Sequence, residues 1–263
     1  MLVLDMDDTL LTDDHKISKL NKKVLLEAQA KGVYVVLASG RPTSAMTAYA
    51  KELELDLNNS YIISFNGAII STVKDDLVLF EQKLTLEQIH ELYDYSVKMK
   101  THIITYLDNE IISETDSEYI EIEKDITGLA HRKVASFKEA VDRPAVKCIL
   151  LENPAYLKEV EKDLKDVMPH LSVAMSKPFF LEAAQNGIDK AASLKFLAAK
   201  LNIHQSEIIA VGNAGNDLTM IEYAGLGVWV DNVTPELRDR ANVIVASNNN
   251  DGVAEVVQRY ILN

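Results

Sequence analysis

Val33-Tyr34-Val35-Val36-Leu37-Ala38-Ser39-Gly40-Arg41-Pro42 is a run of β-branched and apolar residues cut short by a turn. Apolar character at nearly every position, without alternation, marks a strand buried on both faces, as in a parallel sheet. Ser39-Gly40-Arg41 breaks the run, and Pro42 is placed to open a helix. Upstream, Ser18 caps a predicted helix through Lys31, with Leu20, Val24, Leu25 and Ala28 as its apolar stripe and Gly32 as its stop. Further upstream, Leu2–Leu4 is a short apolar run ending at Asp5. Downstream, Tyr61–Phe65 reads as another buried strand that ends at the turn signal Asn66-Gly67. Strands alternating with helices predict a parallel sheet with helices on its faces.

The middle of the chain reads differently. Thr85 and Gln88 form a capping-box pattern for a helix to about Lys100. His102–Tyr106 and Glu110–Ser113 are predicted strands paired around Asp108-Asn109. Ala145–Leu151, Leu171–Ser176 and Phe179–Ala184 are further strands, with a helix from Asn153 to about Val167. Adjacent strands joined by short turns predict a partly antiparallel sheet of α+β type. The last third returns to alternation: a helix from Asp189, the strand Ile208–Val211, a helix to Ala224, the strand Leu226–Val230, a helix opened by Thr234-Pro235, the strand Val243–Val245 and a helix over Val253–Ile261. The expected class is α/β, with a Rossmann-like parallel-sheet core over 1–83 and 185–263 and an α+β domain inserted at 84–184. There is no internal repeat and no linker rich in Gly or Ser.

Composition excludes several other classes. Of 263 residues, 48% are apolar and 25% charged, a globular balance that argues against disorder or low complexity. No apolar stretch is long enough to cross a bilayer, and the N-terminus runs at once into Asp5, Asp7 and Asp8, unlike a signal peptide, so a cytoplasmic location is expected. Lys and Arg total 27 against 40 Asp and Glu, a net charge of −13. So acidic a surface opposes nucleic acid and anionic membranes as partners, yet leaves room for a small anion beside a local cation. Acidic residues crowd Asp108–Asp125, with Lys124 as the only basic residue, and read as a solvated face. The single Cys148 lies in an apolar run and reads as core. Oligomeric state is not legible.

Three polar clusters follow predicted parallel strands directly: Asp5/Asp7, Ser39-Gly40-Arg41 and Asn213/Asn216/Asp217. Ligands of open α/β sheets bind outside the carboxyl ends of the strands, so these clusters should share one edge. In Asp5-Met6-Asp7, two carboxylates two residues apart point to one side if the extended geometry persists. Like charges that close resist joint ionisation, and a divalent cation resolves the conflict. Magnesium takes one or two carboxylates together with phosphate and water. A carboxylate also attacks phosphorus, with a second one moving the proton. Read alone, the pair is equally an acidic turn after a strand.

Asp5-Met6-Asp7-Asp8-Thr9-Leu10-Leu11 resembles the first motif of the haloacid dehalogenase superfamily, and Ser39-Gly40-Arg41-Pro42 resembles its second. Gly187-Ile188-Asp189-Lys190 resembles the third, and Gly212–Asp217 followed by Leu218 and Met220 resembles the fourth. Asn66-Gly67-Ala68 and Ser247–Ala254 resemble the Cof-type branch, which carries a large α/β cap. The resemblance implies Asp5 as nucleophile and magnesium ligand. It implies Asp7 as general acid/base, with its carbonyl on the metal. The Met6 amide, the Ser39 hydroxyl, the Gly40 amide, Lys190 and Asn216 are implied to hold the phosphoryl group, and Asp217 to support the metal site. The implied activity is magnesium-dependent hydrolysis of small phosphate esters, such as sugar phosphates, through an aspartyl-phosphate. The acid at Asp7 is what phosphatases and phosphomutases of the family have and its dehalogenases lack.

Asn213 departs from the pattern, because the family usually has a metal-binding Asp there. Asn keeps one oxygen donor and loses a formal charge. Weaker metal binding, an engineered change and a chain that binds phosphometabolites without turnover all stay open, as does a phosphomutase. Arg41 is read as bracing its own loop through salt bridges, with direct contact to the substrate as the alternative, Thr9 as fixing its loop, Asn66 as a turn residue or site lining, and Trp229 as core. His15, His90, His102, His131, His170 and His204 show no zinc-ligand spacing. Phe179, Phe180 and Tyr156 pack the middle sheet or line a pocket.

Overall fold

The computed structural model describes all residues, Met1–Asn263. They form two compact units, Met1–Glu81 with Asp189–Asn263, and Gln82–Ile188. Gln82 and Lys83, and residues 185–188, thus fall in the second unit rather than the first.

The first unit begins with β1 (Leu2–Leu4), α1 (Lys19–Ala30), β2 (Val35–Ala38), α2 (Thr43–Glu52), β3 (Tyr61–Ser64), β4 (Ile69–Thr72) and β5 (Val78–Glu81). The chain then passes through the second unit: α3 (Leu86–Met99), β6 (His102–Leu107), β7 (Glu110–Ser113), α4 (Glu118–Thr127), β8 (Ala130–Lys133), α5 (Phe137–Ala140), β9 (Lys147–Leu151), α6 (Pro154–Val167), β10 (Leu171–Lys177) and β11 (Phe180–Gln185). It returns with α7 (Lys190–Lys200), β12 (Ile209–Gly212), α8 (Leu218–Tyr223), β13 (Leu226–Val230), β14 (Val243–Val245) and α9 (Gly252–Val257).

The first sheet has eight strands in the order β14-β13-β12-β1-β2-β3-β4-β5. From β14 to β3 all neighbours are parallel, while β4 and β5 are an antiparallel edge. Alternate residues feed two cores. Leu2, Leu4, Val35, Leu37, Val211 and Val228 pack with α1, α2 and α9. Val3, Val36, Ala38, Ala210 and Trp229 pack with α7 and α8. The order reverses at β1: β2 and β3 lie to one side and β12 to β14 to the other. A crevice for ligands opens at such a switch point, beyond the strand C-termini.

Local signals set the helix starts. Ser18 accepts from the Asn21 amide, Thr85 and Gln88 form a reciprocal capping box, and Asp189 accepts from the Ala192 amide. Pro42 stands one residue before α2. Thr234-Pro235 opens only a short 3₁₀ segment, Pro235–Arg240. The edge pair β4–β5 was not legible, because Lys74-Asp75-Asp76 splits two short runs. No helix is long and apolar enough to cross a membrane.

The second unit has six strands in the order β10-β11-β9-β6-β7-β8, antiparallel except between β7 and β8. Helices α3, α5 and α6 cover one face around Leu92, Phe137, Cys148, Leu150 and Leu164. In the stretch expected as a solvated acidic face, Asp108, Asp116, Glu118, Glu121 and Asp125 are exposed as expected, and of its acids only Glu123, on α4, is buried. Glu123 accepts the Tyr106 hydroxyl, and Lys147 pairs with Glu182 at 2.8 Å on the same polar face of the sheet.

Candidate active site

β1 ends where Asp5 begins a wide turn, closed by Leu10 N to Asp5 O at 3.3 Å and Leu11 N to Met6 O at 2.9 Å. The Asp5 amide still donates to Val211 O at 3.0 Å, and the Ser39 amide to Ile63 O at 2.9 Å. Sheet pairing therefore fixes the first residue beyond each strand, and Asp5, Ser39 and Asn213 follow three neighbouring strands, β1, β2 and β12.

The centre of the site is a buried charge line. Lys190, the first residue of α7, has no exposed surface and donates Nζ to Asp5 Oδ1 and to Asp217 Oδ1, both at 2.6 Å. A cation at a helix N-terminus runs against the helix dipole, so the two carboxylates must outweigh both that field and desolvation. The α7 start is held by a close approach. Gly67, at φ +107°, lies against the Asp189 carbonyl where a β-carbon would collide, and Ser193 donates Oγ to Gly67 O. Asp217 Oδ2 accepts the Asn213 amide at 3.0 Å and the Ala214 amide at 3.1 Å. Asp217 thus anchors Lys190 and the loop after β12.

Burial, reinforced by Asp217, raises the Asp5 carboxyl to about 7, against the opposing pull of Lys190 and Thr9. Burial alone would lower Lys190, but Asp217 and Asp5 outweigh it and hold the proton more tightly. The two directions differ in their leading cause: burial for Asp5, the paired carboxylates for Lys190. Two carboxylates around one ammonium leave one buried negative charge, and the site gains by taking up or keeping a proton.

Thr9 donates Oγ1 to Asp5 Oδ2 at 2.9 Å and reaches Asn213 Oδ1 at 3.4 Å. One hydroxyl therefore gathers the oxygens of Asp5 and Asn213. No group of three His, Cys, Asp or Glu converges anywhere, so a cation at this edge depends on carboxamide and carbonyl oxygens beside Asp5. An all-oxygen set with few carboxylates fits a hard dication that keeps several waters. A dication held there would also supply the positive charge that the Asp5–Lys190–Asp217 line lacks.

Asp7 stands apart from that line, in a fork from Arg41 with Nε to Oδ2 at 2.9 Å and Nη to Oδ1 at 2.6 Å. The Met6 side chain is buried in the core, which leaves only its backbone to the site. Ser39 is buried and its Oγ accepts the Arg41 amide at 3.2 Å. Asn216 donates Nδ2 to Asn66 Oδ1 at 3.1 Å, and a β-carbon on Gly40 would lie 3.2 Å from the Asn66 carboxamide. Asn66 therefore joins the loops after β2, β3 and β12. Sequence reasoning missed the Arg41–Asp7 fork and the Asn66–Asn216 bond, which span 34 and 150 residues without any local pattern.

An ionisable centre at the switch point of a doubly wound sheet defines an α/β enzyme. The model of the haloacid dehalogenase-like hydrolases matches residues 2–257, and the chain belongs to that family. It is 33% identical over 267 residues to the Bacillus subtilis protein YxeH, covering 100% of this chain and 98% of that one. It is 30% identical over 269 residues to the Bacillus subtilis 5-amino-6-(5-phospho-D-ribitylamino)uracil phosphatase YcsE, covering 100% and 96%. A solved haloacid dehalogenase-like hydrolase from Bacteroides thetaiotaomicron is 33% identical, with a TM-score of 0.92 over 98% of each chain. Hydrolases of this family generally use a divalent metal.

Proposed function

We propose that this chain is a magnesium-dependent phosphatase of small phosphate monoesters, with Asp5 as nucleophile and Asp7 as general acid and base. The observation that carries the reading is Lys190, buried and shared at 2.6 Å between Asp5 and Asp217. It fixes Asp5 Oδ1, so that Oδ2, which accepts the Thr9 hydroxyl at 2.9 Å, is the oxygen for attack. Asp5 forms a bond to phosphorus as the ester P–O bond breaks, and the departing oxygen takes a proton from Asp7. Water then attacks the aspartyl-phosphate and gives its proton to Asp7, releasing phosphate and Asp5. Lys190, the Ser39 hydroxyl, the Met6 and Gly40 amides and the Asn216 carboxamide are the donors for the phosphoryl oxygens. Magnesium, held by Asp5, the Asp7 carbonyl and Asn213 with Asp217 in support, would neutralise phosphoryl charge.

The second unit, Gln82–Ile188, is the candidate cap that sets specificity. Sugar phosphates and related metabolites are the substrate class. The name of the relative YcsE, a phosphatase of a phosphorylated ribityl compound, supports that choice.

A panel of phosphorylated metabolites assayed for phosphate release, with magnesium and with a chelator, tests the reading. Release is expected from several sugar phosphates, only with the metal, and not from Asp5→Asn. Equal release by Asp5→Asn removes the nucleophile. Tight binding of phosphate esters with no turnover at high magnesium favours a phosphometabolite-binding protein, and an isomerised sugar phosphate favours a mutase.

A further inference from the structure

The Asp7 side chain is 42% exposed and that of Arg41 only 12%. Asp7 lies in the turn after β1, outside regular structure at φ −68° and ψ 131°, with Asp8 beyond it at φ +57°. Holding such a side chain in one rotamer costs conformational entropy, which something must offset. Arg41 is itself fixed. Its guanidinium lies 5.6 Å from the centre of the Tyr49 ring on α2, and the Tyr49 hydroxyl donates to His15 O at 3.1 Å. The Arg41 amide binds Ser39 Oγ at 3.2 Å, and its carbonyl accepts the Phe65 amide at 3.0 Å.

A rigid planar fork therefore grips an otherwise mobile carboxylate at both oxygens. The other titratable group facing Asp7 is His15, whose Nδ1 lies 3.8 Å from Oδ1 and whose side chain is mostly exposed. Without Arg41, the carboxylate is left to His15 and solvent. We propose that Arg41 is a positioning residue for Asp7, holding the carboxyl where it meets the departing oxygen of the substrate. This inference rests on the phosphatase reading. Alignment of a proton donor within fractions of an ångström is what preorganisation supplies, and poor leaving groups need it most.

The test compares kcat/KM for an alkyl phosphate, whose leaving oxygen must be protonated, with that for 4-nitrophenyl phosphate, whose leaving group departs unaided. This ratio reports steps up to P–O cleavage, so later water attack does not enter it. General acid catalysis is worth roughly 10²–10⁴-fold, and loss of its alignment is expected to lower the alkyl-to-aryl ratio about tenfold in Arg41→Ala. Arg41→Lys keeps the charge without the fork and should recover only part of the ratio; it carries the test if Arg41→Ala fails to fold. An equal fall for both esters, or an unchanged ratio, overturns the inference while the phosphatase reading stands. No release of phosphate from either ester by the wild type overturns both.

Discussion

Gly212 and Asp217 pack so closely that a β-carbon on residue 212 would lie 2.6 Å from Asp217 Cβ. The bare end of β12 lets the Asp217 side chain fold back over it, one oxygen on the amides of Asn213 and Ala214 and the other on Lys190. Gly212→Ala must displace Asp217 and with it the ammonium that fixes Asp5. Overpacking of this kind costs about 1–3 kcal/mol, or roughly 2–4 °C of Tm per kcal/mol in a chain of this size. A lower Tm together with a fall in activity is expected from thermal unfolding and phosphate-release assays. Gly215→Ala, where a β-carbon meets nothing within 4 Å, should leave Tm nearly unchanged. Equal Tm values for the two variants would contradict this packing.

Lys190→Met tests the charge line itself. The change leaves Asp5 and Asp217 buried without their cation, and breaking a buried pair typically costs about 3–5 kcal/mol. Asp217→Asn added to Lys190→Met removes one stranded charge and should restore part of that loss. Urea unfolding of the single and double variants measures it, with a chelator present to exclude metal effects. A loss within about 0.5 kcal/mol, as for an ordinary surface lysine, would show that the line contributes no stability.

The site was legible wherever one residue follows one strand. Asp5, Ser39 and Asn213 could be read as neighbours because unbroken apolar runs mark buried parallel strands, and the sheet then orders their ends. Caps at Ser18, Thr85, Asn153 and Asp189 were legible because a single side chain satisfies a nearby amide. Composition was a guide along α4 except at Glu123, which is buried beside Ile120 and which a charge count cannot tell from its exposed neighbours. Contacts such as Arg41 to Asp7 carry no periodic signal, since only the assembled sheet brings those loops together.

Glu123 carries a pH dependence of stability. Burial is the main cause that raises its carboxyl above the ordinary 4.5, with Lys147 and the Tyr106 hydroxyl opposing. The folded state therefore holds the proton to higher pH than the unfolded chain does. Its contribution is most favourable below 4.5 and declines as pH rises through the folded value. Glu123→Gln keeps an acceptor for Tyr106 and does not ionise. Relative to wild type, its Tm should rise between pH 4.5 and pH 8, each unit of displaced titration being worth about 1.4 kcal/mol. A constant difference across that range would show that Glu123 titrates normally.

Cys148 should be chemically silent in the folded protein. Burial pushes its thiol up to about 12, so almost no thiolate exists at neutral pH, and no surface is exposed for attack. Labelling by a disulfide reagent is expected only as fast as the second unit opens, and its dependence on urea should follow that unit's unfolding. Rapid stoichiometric labelling in native buffer would place Cys148 outside the core.

Asn213→Asp should reverse the sign of a stability effect when magnesium is added. Thr9 draws residue 213 toward Asp5 Oδ2, so a new carboxylate there repels Asp5 and Asp217 when only Lys190 opposes them. With a chelator, the variant should melt below wild type. Magnesium, if it binds at this edge, finds an extra formal charge and gains affinity, because the charge count of the ligands tunes how tightly a hard dication is held. A ligand that binds only the folded state adds stability as its concentration exceeds Kd. In millimolar magnesium, the variant should therefore equal or exceed wild type. Melting curves with and without the metal, and calorimetric titration of each protein with magnesium, measure the two halves. A destabilisation that magnesium leaves untouched would place the cation away from residue 213.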